Sequence, residues 1–244
     1  MGIAIARLPN CSNSRVSELT GPYLTALIIA LIVSTQAHAQ AGQSMQGALS
    51  QAAPDANPEV IELAVQSAQC WMAKSGSQAA RLAVIDYSLP STDQRLWVFD
   101  LTRRTLLFRE WVAHGRNSGD NMATHFSNQA QSLSSSLGLY NTRDSYAGRN
   151  GYSLRMDGLE PGFNDRAFER DLVIHGAEYV SSDFARQNGR IGRSHGCPAV
   201  RTAIARPLID TLKNGQLVFI YYPDAQWLND SAFMHCDTHA APQL

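Results

Sequence analysis

Cys197 lies in the run Arg193-Ser194-His195-Gly196-Cys197-Pro198-Ala199-Val200, and upstream the apolar Leu172-Val173-Ile174 leads into His175-Gly176. A cysteine attacks as its thiolate, which forms beside His or Arg and near free backbone N–H groups. It also needs a base within hydrogen-bond reach. Both residue types are present, in the chain order His then Cys. The bland alternative for a cysteine is a small buried hydrophobe; the Ser-His-Gly setting and the upstream His-Gly favour the nucleophile. Gly196 lets the backbone aim N–H groups at one spot. The N–H groups of Gly196 and Cys197 are therefore candidates for an oxyanion hole.

These residues need a frame. The chain has 244 residues, 44% of them hydrophobic, and a net charge of −1. That length suffices for one sizeable core with appendages. The near-neutral charge gives no support for a nucleic-acid partner. Strand-like runs dominate: Leu82–Tyr87, then Leu96–Asp100 and Thr105–Val112 flanking a hairpin turn, then Leu137–Tyr140, Leu172–Ile174 and Leu217–Tyr222. They do not alternate regularly with helices, which disfavours a doubly wound sheet. A mainly β fold is expected.

Two helices are expected beside the strands. Asn57-Pro58-Glu59 reads as an N-cap, a first-turn proline and a first-turn acid. Val60, Leu63, Ala64 and Trp71 recur at helical spacing up to about Lys74. A second helix is expected from Thr202 to Leu212, closed by Lys213-Asn214-Gly215. The domain plan is then a signal peptide over 1–39, a flexible linker over 40–56, an N-terminal helix within 57–78, a catalytic domain over 79–224 and a peripheral tail over 225–244.

The N-terminus points to export. Arg7 and Arg15 precede the apolar run Tyr23–Val33, which is short against the roughly 20 residues of a membrane span. Ala37-His38-Ala39 then offers a small-x-small cleavage signature. A periplasmic or secreted protein, with no stable membrane span after cleavage near Ala39, is expected, with an uncleaved membrane anchor as the alternative. Cleavage removes Cys11 and leaves Cys70, Cys197 and Cys236. In an oxidising compartment, with Cys197 kept free, Cys70 and Cys236 are the remaining pair for a disulfide. Two unpaired thiols are the alternative. His235-Cys236-x-x-His239 is a weak metal signal without a fourth ligand nearby, and His114 and His125 show no ligand spacing.

The motifs taken together resemble the L,D-transpeptidase catalytic domain family, whose members carry a His, a gap and then Ser/Thr-His-Gly-Cys. Here those positions are His175 and Ser194-His195-Gly196-Cys197. Phe126-Ser127-Asn128, Ser135–Tyr140, Tyr152–Arg155 and Gly158–Asn164 are similar to the murein L,D-transpeptidase subgroup, and the likeness spans roughly Leu82 to Pro223. Two departures stand out: Ala199 holds a place where many members have Arg or Asn, and Tyr179 to Arg190 is a polar insertion.

The resemblance implies a β-sandwich or barrel of the L,D-transpeptidase type with a few peripheral helices. It implies Cys197 as nucleophile, His175 as base and the Gly176 carbonyl as the group that orients the imidazole. Ser194 would buttress the turn. His195 has two readings, a group that shapes the turn or a rival base, and the family pattern favours the first. Arg193 would bind a substrate carboxylate or depress the Cys197 pKa, with a solvated loop arginine as the alternative. Tyr140, Asn128 and Tyr152 would line a donor groove, with aromatic packing the alternative for the tyrosines. The implied partners are peptidoglycan stem peptides as donor and acceptor, with no metal or organic cofactor, and carbapenem sensitivity. A papain-like hydrolase places Cys before His and is disfavoured. An L,D-carboxypeptidase and a catalytically silent peptidoglycan-binding protein stay open beside the transpeptidase.

Overall fold

The computed structural model describes residues 43–236. The expected signal peptide, Cys11 and the end of the tail, including His239, lie outside them.

Strands β1 (Arg81–Asp86) and β2 (Leu96–Asp100) are apolar apart from the charged Arg81, Asp86 and Asp100 at their ends, and their apolar residues are buried on both faces. Such strands belong in the middle of a packed sheet. β3 (Thr105–Glu110) follows the turn at Arg104 and alternates exposed with half-buried residues, so one face meets solvent. β4 (Gly138–Gly148) and β5 (Gly151–Gly158) form a long hairpin; β6 (Val173–Gly176), β7 (Ala199–Val200) and β8 (Leu217–Tyr221) complete the set. The eight strands make one sheet in the order β3-β2-β1-β8-β4-β5-β6-β7. The segment after β3 reaches β7, where Ala113 and Ala199 exchange backbone hydrogen bonds of 2.8 and 3.4 Å. That bridge nearly closes the sheet into a barrel, as expected of a mainly β fold with few helices.

Helix α1 (Met45–Ala52) corrects the expected flexible linker over 40–56. Ser44 caps it through the Gly47 N–H, and Leu49 is completely buried. One leucine among small residues gives little periodic signal, yet it anchors the turn. Just beyond, the Asp55 carboxylate accepts from Trp97 Nε1 at 3.2 Å and pairs with Arg109.

Helix α2 (Pro58–Ser75) starts at the Asn57 cap and ends at Gly76, whose φ of 71° a Cβ would disfavour. Val60, Ile61, Ala64, Val65 and Ala68 form its buried stripe. Cys70 on α2 is joined to Cys236 by a disulfide, with the Cα atoms 5.9 Å apart. After helix α3 (Ser182–Asn188), which lies inside the polar insertion, helix α4 (Thr202–Leu212) covers β6. A Cβ on Gly176 would come within 2.9 Å of the Ala205 Cβ, so glycine permits this close approach.

The tail is also corrected. Helix α5 (Ala225–Asp230) carries Trp227, which is fully buried and donates to Glu160 Oε2 at 2.8 Å. Phe233 and Met234 are buried before the disulfide at Cys236. Residues 225–236 therefore pack onto the core through Trp227, Phe233 and Met234. One tryptophan was outweighed in the sequence by the polar residues around it.

Candidate active site

β6 and β7 run parallel, with His175 opposite Ala199 and Gly176 opposite Val200. Cys197 stands two residues before Ala199, at the mouth of β7, so this pairing brings the Cys197 turn to the end of β6 that carries His175. The Pro198 carbonyl accepts the His175 N–H at 3.4 Å and locks this register.

The turn before Cys197 is held by Ser194. Its Oγ accepts the Gly196 N–H at 3.0 Å and donates to the Cys197 carbonyl at 2.6 Å. This is the buttress expected of Ser194. It also corrects the oxyanion reading of Gly196, because that N–H is already engaged; the Cys197 N–H remains as the backbone donor. Gly196 itself has φ 125°, and a Cβ there would meet the Ser134 carbonyl at 2.8 Å. Only glycine fits.

Cys197 is buried, and its Sγ lies 3.6 Å from the Asp171 carbonyl oxygen. Burial pushes the thiol pKa up, while the Val173 N–H and the Arg170 guanidinium pull it down. The net direction is upward, so the resting group at neutral pH is a thiol. His175 is 6% exposed, and its Nδ1–H donates to the Gly176 carbonyl at 2.9 Å. That bond leaves a lone pair on Nε2. Burial lowers the His175 pKa, partly opposed by the Gly176 bond. The imidazole is thus neutral at pH 7 and competent to take a proton. Thiol and imidazole are both uncharged at rest, rather than a preformed ion pair.

A cavity of about 320 Å³ is lined by Leu133, Arg170, Asp171 and His195 among others, and Asp171 is the residue whose carbonyl oxygen lies against the Cys197 sulfur. Three of its lining residues, Gln131, Leu133 and Asp171, have φ between 54° and 58°. Left-handed backbone at non-glycine residues is strained and collects at working sites. His195 is exposed on the cavity wall.

The remaining expected residues fall elsewhere. Arg193 donates to the Gly119 carbonyl at 2.9 Å and to Asp120 at 2.7 Å, so it fastens the 116–120 loop. The cation acting on Cys197 is Arg170, which the sequence reading missed. Tyr140 is fully buried and donates to the Ser136 carbonyl at 2.9 Å; it is core, not groove. Tyr152 neighbours Ser153, the residue paired with His175, and so faces the opposite side of the sheet; its hydroxyl donates to Asp210 on α4 at 2.7 Å. Asn128 donates to Asp165 at 2.7 Å and lines a different cavity of about 200 Å³, beside Phe126 and Phe163. These assignments had no distance information to separate groove from core. Cys236 is taken by the disulfide, so the His235-Cys236 motif offers no thiolate ligand.

The sequence reading also missed a buried cluster behind the turn. Arg95 is fully buried, donates to the Leu89 and Val112 carbonyls and to His114 Nδ1, and stacks over Tyr87 at 4.8 Å. The His114 carbonyl accepts the Ser194 N–H at 2.9 Å, tying this cluster to the Cys197 turn.

A family model described as the L,D-transpeptidase catalytic domain matches residues 52–221. The chain belongs to this family. Among solved structures, an L,D-transpeptidase from Mycobacterium smegmatis is 13% identical, with a TM-score of 0.38 and 59% of each chain covered. An L,D-transpeptidase from Stackebrandtia nassauensis is 18% identical, with a TM-score of 0.33, 66% of this chain covered and 67% of that one. This chain thus spans 59% of the length of the Mycobacterium smegmatis chain. No curated protein matches it. Among its described residues, no helix is long and apolar enough to cross a membrane.

Proposed function

We propose that this domain is a cysteine acyltransferase that forms peptidoglycan cross-links, with Cys197 as nucleophile and His175 as base. The observation that carries the reading is the β6/β7 pairing, which sets His175 opposite Ala199, two residues after the buried Cys197, with the imidazole Nδ1 held by the Gly176 carbonyl and Nε2 left with a lone pair.

The chemistry follows from the protonation states. As the Cys197 sulfur attacks the carbonyl between meso-diaminopimelate and D-Ala, His175 Nε2 takes the thiol proton. The developing oxyanion is received by the Cys197 N–H. Collapse breaks the C–N bond; the D-Ala nitrogen leaves with the proton from His175, and a thioester remains. An acceptor amine then attacks, His175 takes its proton, and the thiol is regenerated as the cross-link forms. The Gly176 carbonyl fixes the imidazole tautomer throughout, in the place an acid holds in other triads. Donor and acceptor are peptidoglycan stem peptides. An extracytoplasmic location is supported by the Cys70–Cys236 disulfide, since such bonds persist in oxidising compartments.

Product analysis tests the reaction. A purified tetrapeptide-bearing muropeptide should give a cross-linked dimer when an acceptor amine is present. Release of D-Ala with only the tripeptide as product, at saturating acceptor, would assign the domain to hydrolysis instead.

A further inference from the structure

The Gly196–Cys197 peptide carries the N–H proposed to receive the oxyanion, so whatever fixes that plane fixes the hole. In a trans peptide the carbonyl and the N–H point in opposite directions. The Gly196 carbonyl is gripped from behind by Ser135, whose Oγ lies 3.0 Å from it. The same hydroxyl oxygen accepts the Gly115 N–H at 3.0 Å. A serine has a single hydroxyl proton; the Gly196 carbonyl can only accept, so the bond between them uses that proton. The backbone of Ser135 is pinned in turn, its N–H donating to Ser118 Oγ at 2.9 Å. Ser135 and Ser118 are both fully buried.

The neighbours show how tight this arrangement is. A Cβ on Gly115 would sit 2.9 Å from the Gly196 Cα and 2.5 Å from the Leu133 carbonyl. Arg170 holds the loop that carries Ser135, donating to the Ser127 and Ser134 carbonyls at 2.7 and 2.8 Å.

We propose that Ser135 is a positioning residue for acyl transfer, its hydroxyl orienting the Gly196–Cys197 peptide so that the Cys197 N–H meets the oxyanion. This rests on the thioester reading above. Ser135 touches no reacting atom. It should matter for attack on a carbonyl and not for reactions that build no oxyanion.

The test compares two reactions of one thiol. Single-turnover mass spectrometry follows acylation of Cys197 by a tetrapeptide donor, and a parallel assay follows its alkylation by iodoacetamide. In Ser135→Ala, acylation should slow about tenfold or more, short of the 10²–10³ that losing an oxyanion donor typically costs. Half-saturation by donor and the rate of alkylation should be unchanged, and Ser135→Thr, which keeps the hydroxyl, should restore acylation. If the alanine variant does not fold, Ser135→Cys, similar in size with only a weak donor, carries the same comparison, with alkylation read at the Cys197 peptide. Acylation at the wild-type rate without the hydroxyl overturns the proposal. So does a parallel fall in alkylation, which would reveal a role in packing or thiol reactivity. Failure of the wild-type protein to acylate, with alkylation intact, overturns the thioester reading and this proposal with it.

Discussion

Two buried histidines flank the Cys197 turn, and they are opposites. His175 donates from Nδ1 to the Gly176 carbonyl and keeps an unprotonated Nε2. His114 accepts at Nδ1 from Arg95, 2.7 Å away, and donates from Nε2 to the Gly119 carbonyl at 3.3 Å. Both have lowered pKa values, His114 to about 4, chiefly through burial and then through the Arg95 charge. The shift alone would not tell them apart. What separates them is valence: a histidine with both nitrogens satisfied is a brace, and one with a free lone pair beside the Cys197 turn can move a proton.

The largest effect that breaks this comparison is on rate. His175→Ala should slow acylation by about 10²–10⁴-fold, the usual worth of a general base, with little loss of folded protein. His114→Gln should leave acylation per folded molecule near wild type. It should instead lower stability by about 1–3 kcal/mol, since buried Arg95 loses an acceptor. Donor turnover together with chemical denaturation measures both. A His114 variant that folds normally but loses acylation would reverse the two roles.

The pH profiles sharpen the same contrast. Acylation should rise as pH climbs through the lowered His175 pKa, below its usual 6.5, and then stay flat until Cys197 ionises above its usual 9.0. Flatness follows because proton transfer from thiol to imidazole changes no net charge. Stability carries the signature of His114. Its folded pKa is depressed, so below the unfolded pKa of about 6.5 the unfolded chain binds a proton that the folded one refuses. Stability should therefore be full above pH 6.5 and fall as pH drops toward about 4, by roughly 3 kcal/mol in total. His175 adds in the same direction. His114→Gln should remove most of that slope in denaturation curves taken between these limits, while the activity profile keeps its acid limb.

Local features of this architecture were legible in the sequence, and long-range ones were not. The Asn57 cap, the apolar runs of β1, β2 and β8, and the Ser-His-Gly-Cys turn are all written within a dozen residues. The Cys70–Cys236 pair followed from counting cysteines against compartment. Ser135 and Gly196 are 61 residues apart, and their contact exists only because the 127–136 loop folds under the turn. Arg95, Arg170 and His114 read as ordinary loop or strand-end residues until burial shows what they hold. β5 carried too little alternation to be expected as a strand, and α1 hangs on one leucine.

The smallest expected effect concerns His195. It is exposed on the cavity wall, so His195→Ala should change the acylation rate far less than His175→Ala at equal folded fraction. Greater damage from the His195 substitution would move the base to the exposed ring.

Intact-mass spectrometry with a tetrapeptide donor ending in meso-diaminopimelate and D-Ala tests the central claim most directly. The account predicts that wild-type protein gains the mass of the tripeptide acyl group at Cys197 as D-Ala is released, and that Cys197→Ala gains nothing. No adduct on the wild-type chain, or donor turnover retained by Cys197→Ala, would contradict it.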